Sequence, residues 1–467
     1  MPVRFQKLSQ YKRLLVLTAL FVCALANITA AQSTVFNPAA ENKQLLSSLM
    51  TQYEQRYRDG LTRLPPENKK DYEEIYRLRW DHIREIFDKK ELFTDPTAQQ
   101  YLDALVEEIV KSYPLLRDHP FHCYFSRSGI PNASYIGEGI ILFNMGLFRK
   151  LENESQAVFV ICHEIAHYFL QHSEKGISKY VTTINSKAVQ AELRKIRGSE
   201  YGKRAQIEKL VKGITFNSRR HSRDHEAQAD SMAIELLHNT RFDITGAPTA
   251  LNLLDSIDTD TLNTALCLER LFNAKEYPFK KKWIAKQGGL LGGHAQLEEN
   301  DKLDDSLKTH PDCKLRIQLL APLTDKYKTP GKSAFVVDKG TFEKLKTTFQ
   351  YEIVEYAYIT DNYTRSLYYT IEMLQEHPAD AWLITQVGKV LNNCYTAQKA
   401  HILGKRVELP SPGFNSGYNL LLQFIQNLYL EEFASISYHY LHQYSSQLNY
   451  YAYFKKEYIT SSQLIKQ

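Results

Sequence analysis

Residues 163–167 read His-Glu-Ile-Ala-His. On a helix, positions four apart share a face, so imidazoles at 163 and 167 can reach one metal ion, and Glu164 beside them can hold a water bound to that ion. Val158, Val160, Ile161 and Phe169 surround the motif at helical spacing and fit a buried helix that carries a polar site. A third ligand must come from elsewhere: a glycine at 170 and a histidine at 173 could extend the motif, but Leu170 and Ser173 stand there. Residues 222–230, Ser-Arg-Asp-His-Glu-Ala-Gln-Ala-Asp, supply a carboxylate instead. Glu226 and Asp230 share one helix face. Glu226 can ligate, while Asp230 can accept the second ring N–H of a ligating histidine and fix its tautomer. The small side chains of Ala227 and Ala229 let this second helix approach the first. Two histidines and one carboxylate leave a coordination position open, as catalytic zinc requires; a structural zinc would be closed by four ligands and richer in cysteine. His172 and His225 fit neighbours of the metal or surface residues better than ligands.

Several elements must hold these residues. Helical patterns cover about residues 41–58, 70–90 and 95–112, the last opening on Asp95-Pro96, a cap followed by proline at the first helical position. Residues 122–126 and 134–143 are rich in aromatic and β-branched side chains and read as short strands, with Gly137 and Gly139 as breaks. Helix is expected over 152–172, through the polar stretch 173–217, and over 221–238 and 310–320. Residues 273–308 contain two Gly-Gly pairs and many charges and read as a loop over the body. Pro322 and Thr329-Pro330-Gly331 mark a domain boundary. The tail beyond holds 16 of the chain's 30 tyrosines. Its residues 363–400 resemble one tetratricopeptide repeat, the alternative being an ordinary helical bundle.

The compartment is read from the start of the chain. Arg4, Lys7, Lys12 and Arg13 precede an apolar stretch from Leu14 to Ala26, too short to span a bilayer comfortably, and Thr29, Ala30 and Ala31 are small. This is the pattern of a secretory signal cleaved near Ala31, with an uncleaved anchor as the alternative. Val22 before Cys23 argues against lipidation. Removing residues 1–31 takes the formal charge from +5 to +1, so no basic field for nucleic acid is expected. No later stretch is apolar for about 18 residues, so no transmembrane span is expected after signal removal. Five cysteines remain, none in a C-x-x-C pair, which does not describe a disulfide framework.

Four motifs occur in order: Pro131-Asn132-Ala133 before a strand, HEIAHYFLQH at 163–172, SRDHEAQAD at 222–230, and Thr309-His310-Pro311 with Arg316. Together they resemble the HtpX-like and CAAX prenyl protease family of zinc metallopeptidases, family forty-eight, over about Leu45 to Leu320. The chain departs from the membrane-embedded members by lacking transmembrane helices. It looks closer to the soluble, BepA-like periplasmic branch with C-terminal helical repeats. The resemblance implies an α+β, mostly helical chain: a zincin-type (gluzincin) metallopeptidase domain with a small edge-strand sheet at 32–330, after a signal peptide at 1–31, then a helical, tetratricopeptide-like domain at 331–467.

It also implies one Zn2+ per chain on His163, His167 and Glu226, Glu164 as catalytic base, and Asn132 and Ala133 on a strand that binds substrate. Asp230, His310 and Arg316 become supporting or regulatory residues. His310 has three readings: a donor to the transition state, a plug of the open zinc position, or a helix cap beside Pro311 with Arg316 packed below. The activity expected is hydrolysis of peptide bonds in extended or misfolded proteins, in envelope quality control. A client-binding chaperone or assembly factor, using the helical tail for protein partners, is the second reading. A zinc hydrolase for non-peptide substrates is the third, and the edge-strand motif argues against it. Asn132-Ala133-Ser134 is also a glycosylation acceptor pattern; a glycan there would block the cleft, which favours a non-glycosylating host such as a bacterial periplasm.

Overall fold

The structure is a computed structural model that describes residues 36–198, 206, 223–256, 262–285, 313–411 and 413–466; the expected signal peptide and His310 lie outside them. The first part contains α1 (Lys43–Thr62), α2 (Lys69–Asp88), α3 (Pro96–Ser112), β1 (His122–Ser126), β2 (Ala133–Gly137), β3 (Ile140–Asn144), α4 (Met145–Phe148), α5 (Glu154–Phe169), α6 (His172–Ile184) and α7 (Lys187–Gly198). It continues through α8 (residues 223–239), α9 (Gly246–Ser256), α10 (Thr264–Phe272) and α11 (Cys313–Tyr327). The tail holds α12 (Lys339–Ile359), α13 (Tyr363–Glu376), α14 (Ala381–Lys399), α15 (Ser416–Asn427), α16 (Leu430–Tyr444) and α17 (Ala452–Leu464). Among the described residues the fold is thus mostly helical with one small sheet, as an α+β zincin-type fold requires.

Many of these helices begin where a short polar side chain can satisfy a free N–H of the first turn. Asp95 accepts from Ala98 N at 2.9 Å, with Pro96 opening α3. Asn153 caps α5 through Gln156 N at 3.0 Å. Asp338, Asn362, Asp380 and Asn415 do the same for α12 to α15.

The sheet order is β1-β3-β2, with β1 parallel and β2 antiparallel to β3. The stretch 134–143 is therefore a hairpin. It turns through Gly137, Glu138 and Gly139 at φ 106°, 53° and 78°, left-handed values that glycine adopts without strain at two of the three. Side chains alternate across the sheet. Tyr124, Ile140 and Leu142 join Tyr53, Trp80 and Ile83 of α1 and α2, while Cys123, Phe125, Ile141 and Phe143 face the main core with Phe148, Ile161 and Phe349. Burial on both faces explains the unbroken apolar run of β3.

α5 crosses the centre of that core, buried from Glu154 to Ala166. A Cβ on Gly246 would lie 2.5 Å from the Ser155 backbone, so the close approach of α9 to α5 needs glycine. The helix expected over 152–172 stops at Phe169. Gln171, at φ 56°, reverses the chain, and α6 begins at His172. Pro322, expected at a boundary, lies inside α11; it and Gln318, whose carbonyl loses its N–H partner, are exposed, so water can substitute. Residues 273–285, read as loop, are anchored by the fully buried Trp283; 286–308 lie outside the described residues.

A second core joins Trp283, Leu383, Tyr418, Phe424 and Tyr440. Cys267, Leu268 and Phe272 of α10 belong to it, although they precede residue 330. α12 serves both cores, with Phe342 and Phe349 in the first and Val354 in the second. All five cysteines from Cys123 onward are free and buried. Among the described residues, no helix is long and apolar enough to cross a membrane.

Candidate metal centre

His163 and His167 project from α5 and Glu226 from α8. The two Nε2 atoms are 3.0 Å apart, and Glu226 sets Oε2 3.4 Å from that of His163 and Oε1 3.4 Å from that of His167. One ligand atom from each of the three residues falls within 4.8 Å of the others. Atoms bound tetrahedrally at about 2.0–2.1 Å from one zinc ion sit about 3.4 Å apart, so this donor set fits Zn2+.

Each histidine is held from behind by a different device. Asp230 Oδ1 lies 3.0 Å from His163 Nδ1. Arg316 of α11 grips the same carboxylate with two bonds, Nε to Oδ2 at 2.7 Å and Nη2 to Oδ1 at 2.6 Å, and its Nη1 is 3.5 Å from Glu226. Burial opposes ionisation of Asp230, but Arg316 and His163 outweigh it and hold the carboxyl down at about 2. Burial likewise opposes charge on His163, yet Asp230 and Glu226 raise its pKa to about 9. The protein therefore gathers negative charge where a cation would sit. The second device is neutral. His172 Nδ1 meets His167 Nδ1 at 3.0 Å, and His172 Nε2 meets Gln228 Oε1 at 3.1 Å. Burial and then the neighbouring His167 push the His172 pKa down to about 4. His225 stacks on His172, with ring centroids 4.3 Å apart and planes 4° from parallel.

Glu164, 3% exposed, is fixed from the sheet. Its Oε2 accepts a hydrogen bond of 2.8 Å from the backbone N–H of Tyr135 in β2. On the other side of that strand, Asn132 O accepts from Asn144 N of β3 at 3.0 Å. Backbone groups alternate along a strand, so Ala133 and Tyr135 turn theirs away from β3 and toward α5. Asn132 Oδ1 is buried without a hydrogen-bond partner among the described residues.

The structure thus brings together His163, Glu164, His167, Glu226, Asp230 and Arg316, and sets Asn132 and Ala133 at the strand joined to Glu164. His310 lies outside the described residues. Two features escape sequence reasoning: the Tyr135 N–H, which is backbone and leaves no residue signature, and Gln228, which breaks no pattern on its helix. A third is Glu154, fully buried at the start of α5. It accepts from Tyr101 Oη and from the backbone N–H groups of Val336, Val337 and Asp338 at 2.6–2.8 Å, clipping the segment before α12 to the metal helix.

Residues 96–323 match the profile of Peptidase family M48. The chain is 25% identical over 186 residues to a beta-barrel assembly-enhancing protease of Escherichia coli K12, covering 37% of this chain and 36% of that protein. It is 24% identical over 175 residues to the protein of that name from Yersinia pestis (37% and 36%), and 26% identical over 171 residues to a putative one from Vibrio cholerae (36% and 35%). The chain spans about a third of the length of the curated relatives it matches. With both metal-site helices inside the matched segment, residues 96–323 form a domain of peptidase family M48.

Proposed function

We propose that the chain is a zinc-dependent metalloendopeptidase that hydrolyses peptide bonds in extended or misfolded proteins of the cell envelope. What carries the reading is the convergence of His163, His167 and Glu226 on one point, beside a glutamate tied to an edge strand. Bound Zn2+ would supply Lewis acidity and one open coordination position. Glu164 takes a proton from the attacking water and later delivers it to the leaving amine. Its bond to Tyr135 N–H fixes the carboxylate relative to the strand, so a peptide paired along β2 is positioned against the base. Ala133 offers backbone groups for that pairing, and Asn132 leads into the strand. Main-chain pairing reads little sequence, so broad preference for extended segments follows.

The relatives are named for enhancing beta-barrel assembly, and cleavage of β-barrel chains by this protein fits the same preference, since such chains offer extended strands. A periplasmic location after cleavage near Ala31 belongs to the same proposal, as does the division into a metallopeptidase unit and a helical C-terminal unit for protein partners. The client-binding reading gains little from the tail's tyrosines: Tyr363, Tyr368, Tyr395, Tyr418 and Tyr440 are buried, and only Tyr429, Tyr450 and Tyr453 are largely exposed.

Glu164→Gln is expected to keep stoichiometric zinc while losing about 10²–10⁴-fold in casein cleavage, the contribution of general acid–base catalysis. Full activity in that variant overturns the mechanism.

A further inference from the structure

We propose that Gln228 and His172 form a proton-ordering relay that holds the metal-facing nitrogen of His167 bare, making both positioning residues for metal binding. The proposal rests on the metal-site reading above.

The relay begins with a reversal of the chain. Gln171, in the left-handed region, ends α5 and starts α6, folding His172 back onto the last turn of the metal helix, where it is 4% exposed. Its Nδ1 then faces His167 Nδ1 at 3.0 Å. Two ring nitrogens at that distance share one proton, and nothing in the pair itself decides which ring owns it. The decision comes from α8. Gln228 Oε1, 3.1 Å from His172 Nε2, can only accept, so the proton of a neutral His172 sits on Nε2 and its Nδ1 is a bare lone pair. His167 must therefore donate from Nδ1. That leaves the lone pair of its Nε2 directed at the point shared with His163 Nε2 and Glu226 Oε1, 3.0 and 3.4 Å away. The opposite amide orientation of Gln228 would reverse every proton and put a hydrogen on His167 Nε2, where a metal must bind. His225, stacked on His172, keeps the ring in plane for both bonds.

The geometry also ties the two ligand helices together. Glu226 ligates from α8 while Gln228, two residues on, orders a ligand on α5. The exposed end of the relay makes it testable, because Gln228 lies at the surface and its replacement does not disturb a core.

The experiment measures Zn2+ affinity of the full chain by competition with a chromophoric chelator, with circular dichroism as a check of folding. Gln228→Met, which removes the acceptor, and His172→Phe, which removes the ring nitrogens, are each expected to weaken zinc binding about 10–100-fold. Gln228→Glu keeps an obligatory acceptor and is expected to bind zinc within about twofold of the unaltered chain, a rescue that a merely structural role would not give. Undiminished zinc affinity in folded Gln228→Met and His172→Phe, or a Gln228→Glu as weak as Gln228→Met, overturns the relay alone. Failure of the unaltered chain to bind zinc overturns the metal centre, and the relay with it.

Discussion

The metal region and the tail both bury polar groups, but they direct them differently. Around α5, the side chains of His163, His167 and Glu226 turn lone pairs toward one point and are braced from outside by Asp230, Arg316 and His172. In the tail, polar groups close on one another. Asn392 donates to the carboxylate and backbone of Glu457 at 3.0 Å and accepts from Ser437 at 2.7 Å; Thr364 meets Tyr418 at 2.9 Å; Lys389 lies 3.4 Å from Glu355 and over the Tyr358 ring. Burial of polar groups alone therefore does not mark a site. What marks one is a set of metal-binding donors from separate helices left converging on one point after their outer neighbours have been satisfied, because one cation can bridge such a set.

The largest loss is expected from Arg316→Leu. It takes the two-bond partner from the buried Asp230 carboxylate, leaving it His163, and should cost about 3–5 kcal/mol in denaturant unfolding. A loss under about 1 kcal/mol would show that water or rearrangement compensates. Next is zinc removal. Chelation should destabilise the core around α5 by about 3–4 kcal/mol relative to protein held at 100 to 1,000 times the dissociation constant. Hydrogen exchange should place that loss in α5 and α8 and spare α14 and α16; a uniform loss would mean the two cores unfold as one unit through α12. Asn392→Leu is the matching change in the tail. It should cost about 1–3 kcal/mol by leaving Glu457 and Ser437 short of partners, with casein cleavage unchanged.

The smallest effect tests a tie between the regions. Glu372 of α13 lies 2.9 Å from Arg149 and 3.2 Å from Lys150, which follow α4. Burial raises its pKa, but these two cations outweigh it and the net shift is downward from 4.5. A depressed carboxyl stabilises the fold above its unfolded value, and that contribution is lost as pH falls through the folded one. Glu372→Gln should therefore cost about 1 kcal/mol at neutral pH and little once the pH has fallen well below the folded value. Equal cost at both, read from thermal melts, would remove the ion pairs as its cause.

How much was legible followed the range of the interaction. Spacing within a helix is local, so 163 with 167 and 226 with 230 could be paired on their faces before any fold was known. The cap at Asp95, and the Gly137 and Gly139 breaks, are likewise local. The reversal at Gln171 was not legible, because a glutamine forced to a positive φ carries no pattern of its own; tertiary packing of His172 imposes it. Pro322 misled for the converse reason, since an exposed helix end tolerates a proline that a buried one rejects.

Which residues could hold a metal, and which helices carry them, follows from side-chain chemistry and a 3.6-residue period, both properties of the chain alone. That a backbone N–H of Tyr135 meets Glu164, that His172 lies between Gln228 and His167, and that α10 packs with the tail follow from the folded arrangement instead. Those contacts join residues 29, 56 and more than 100 positions apart, and they exist only once burial of the two cores brings the elements together.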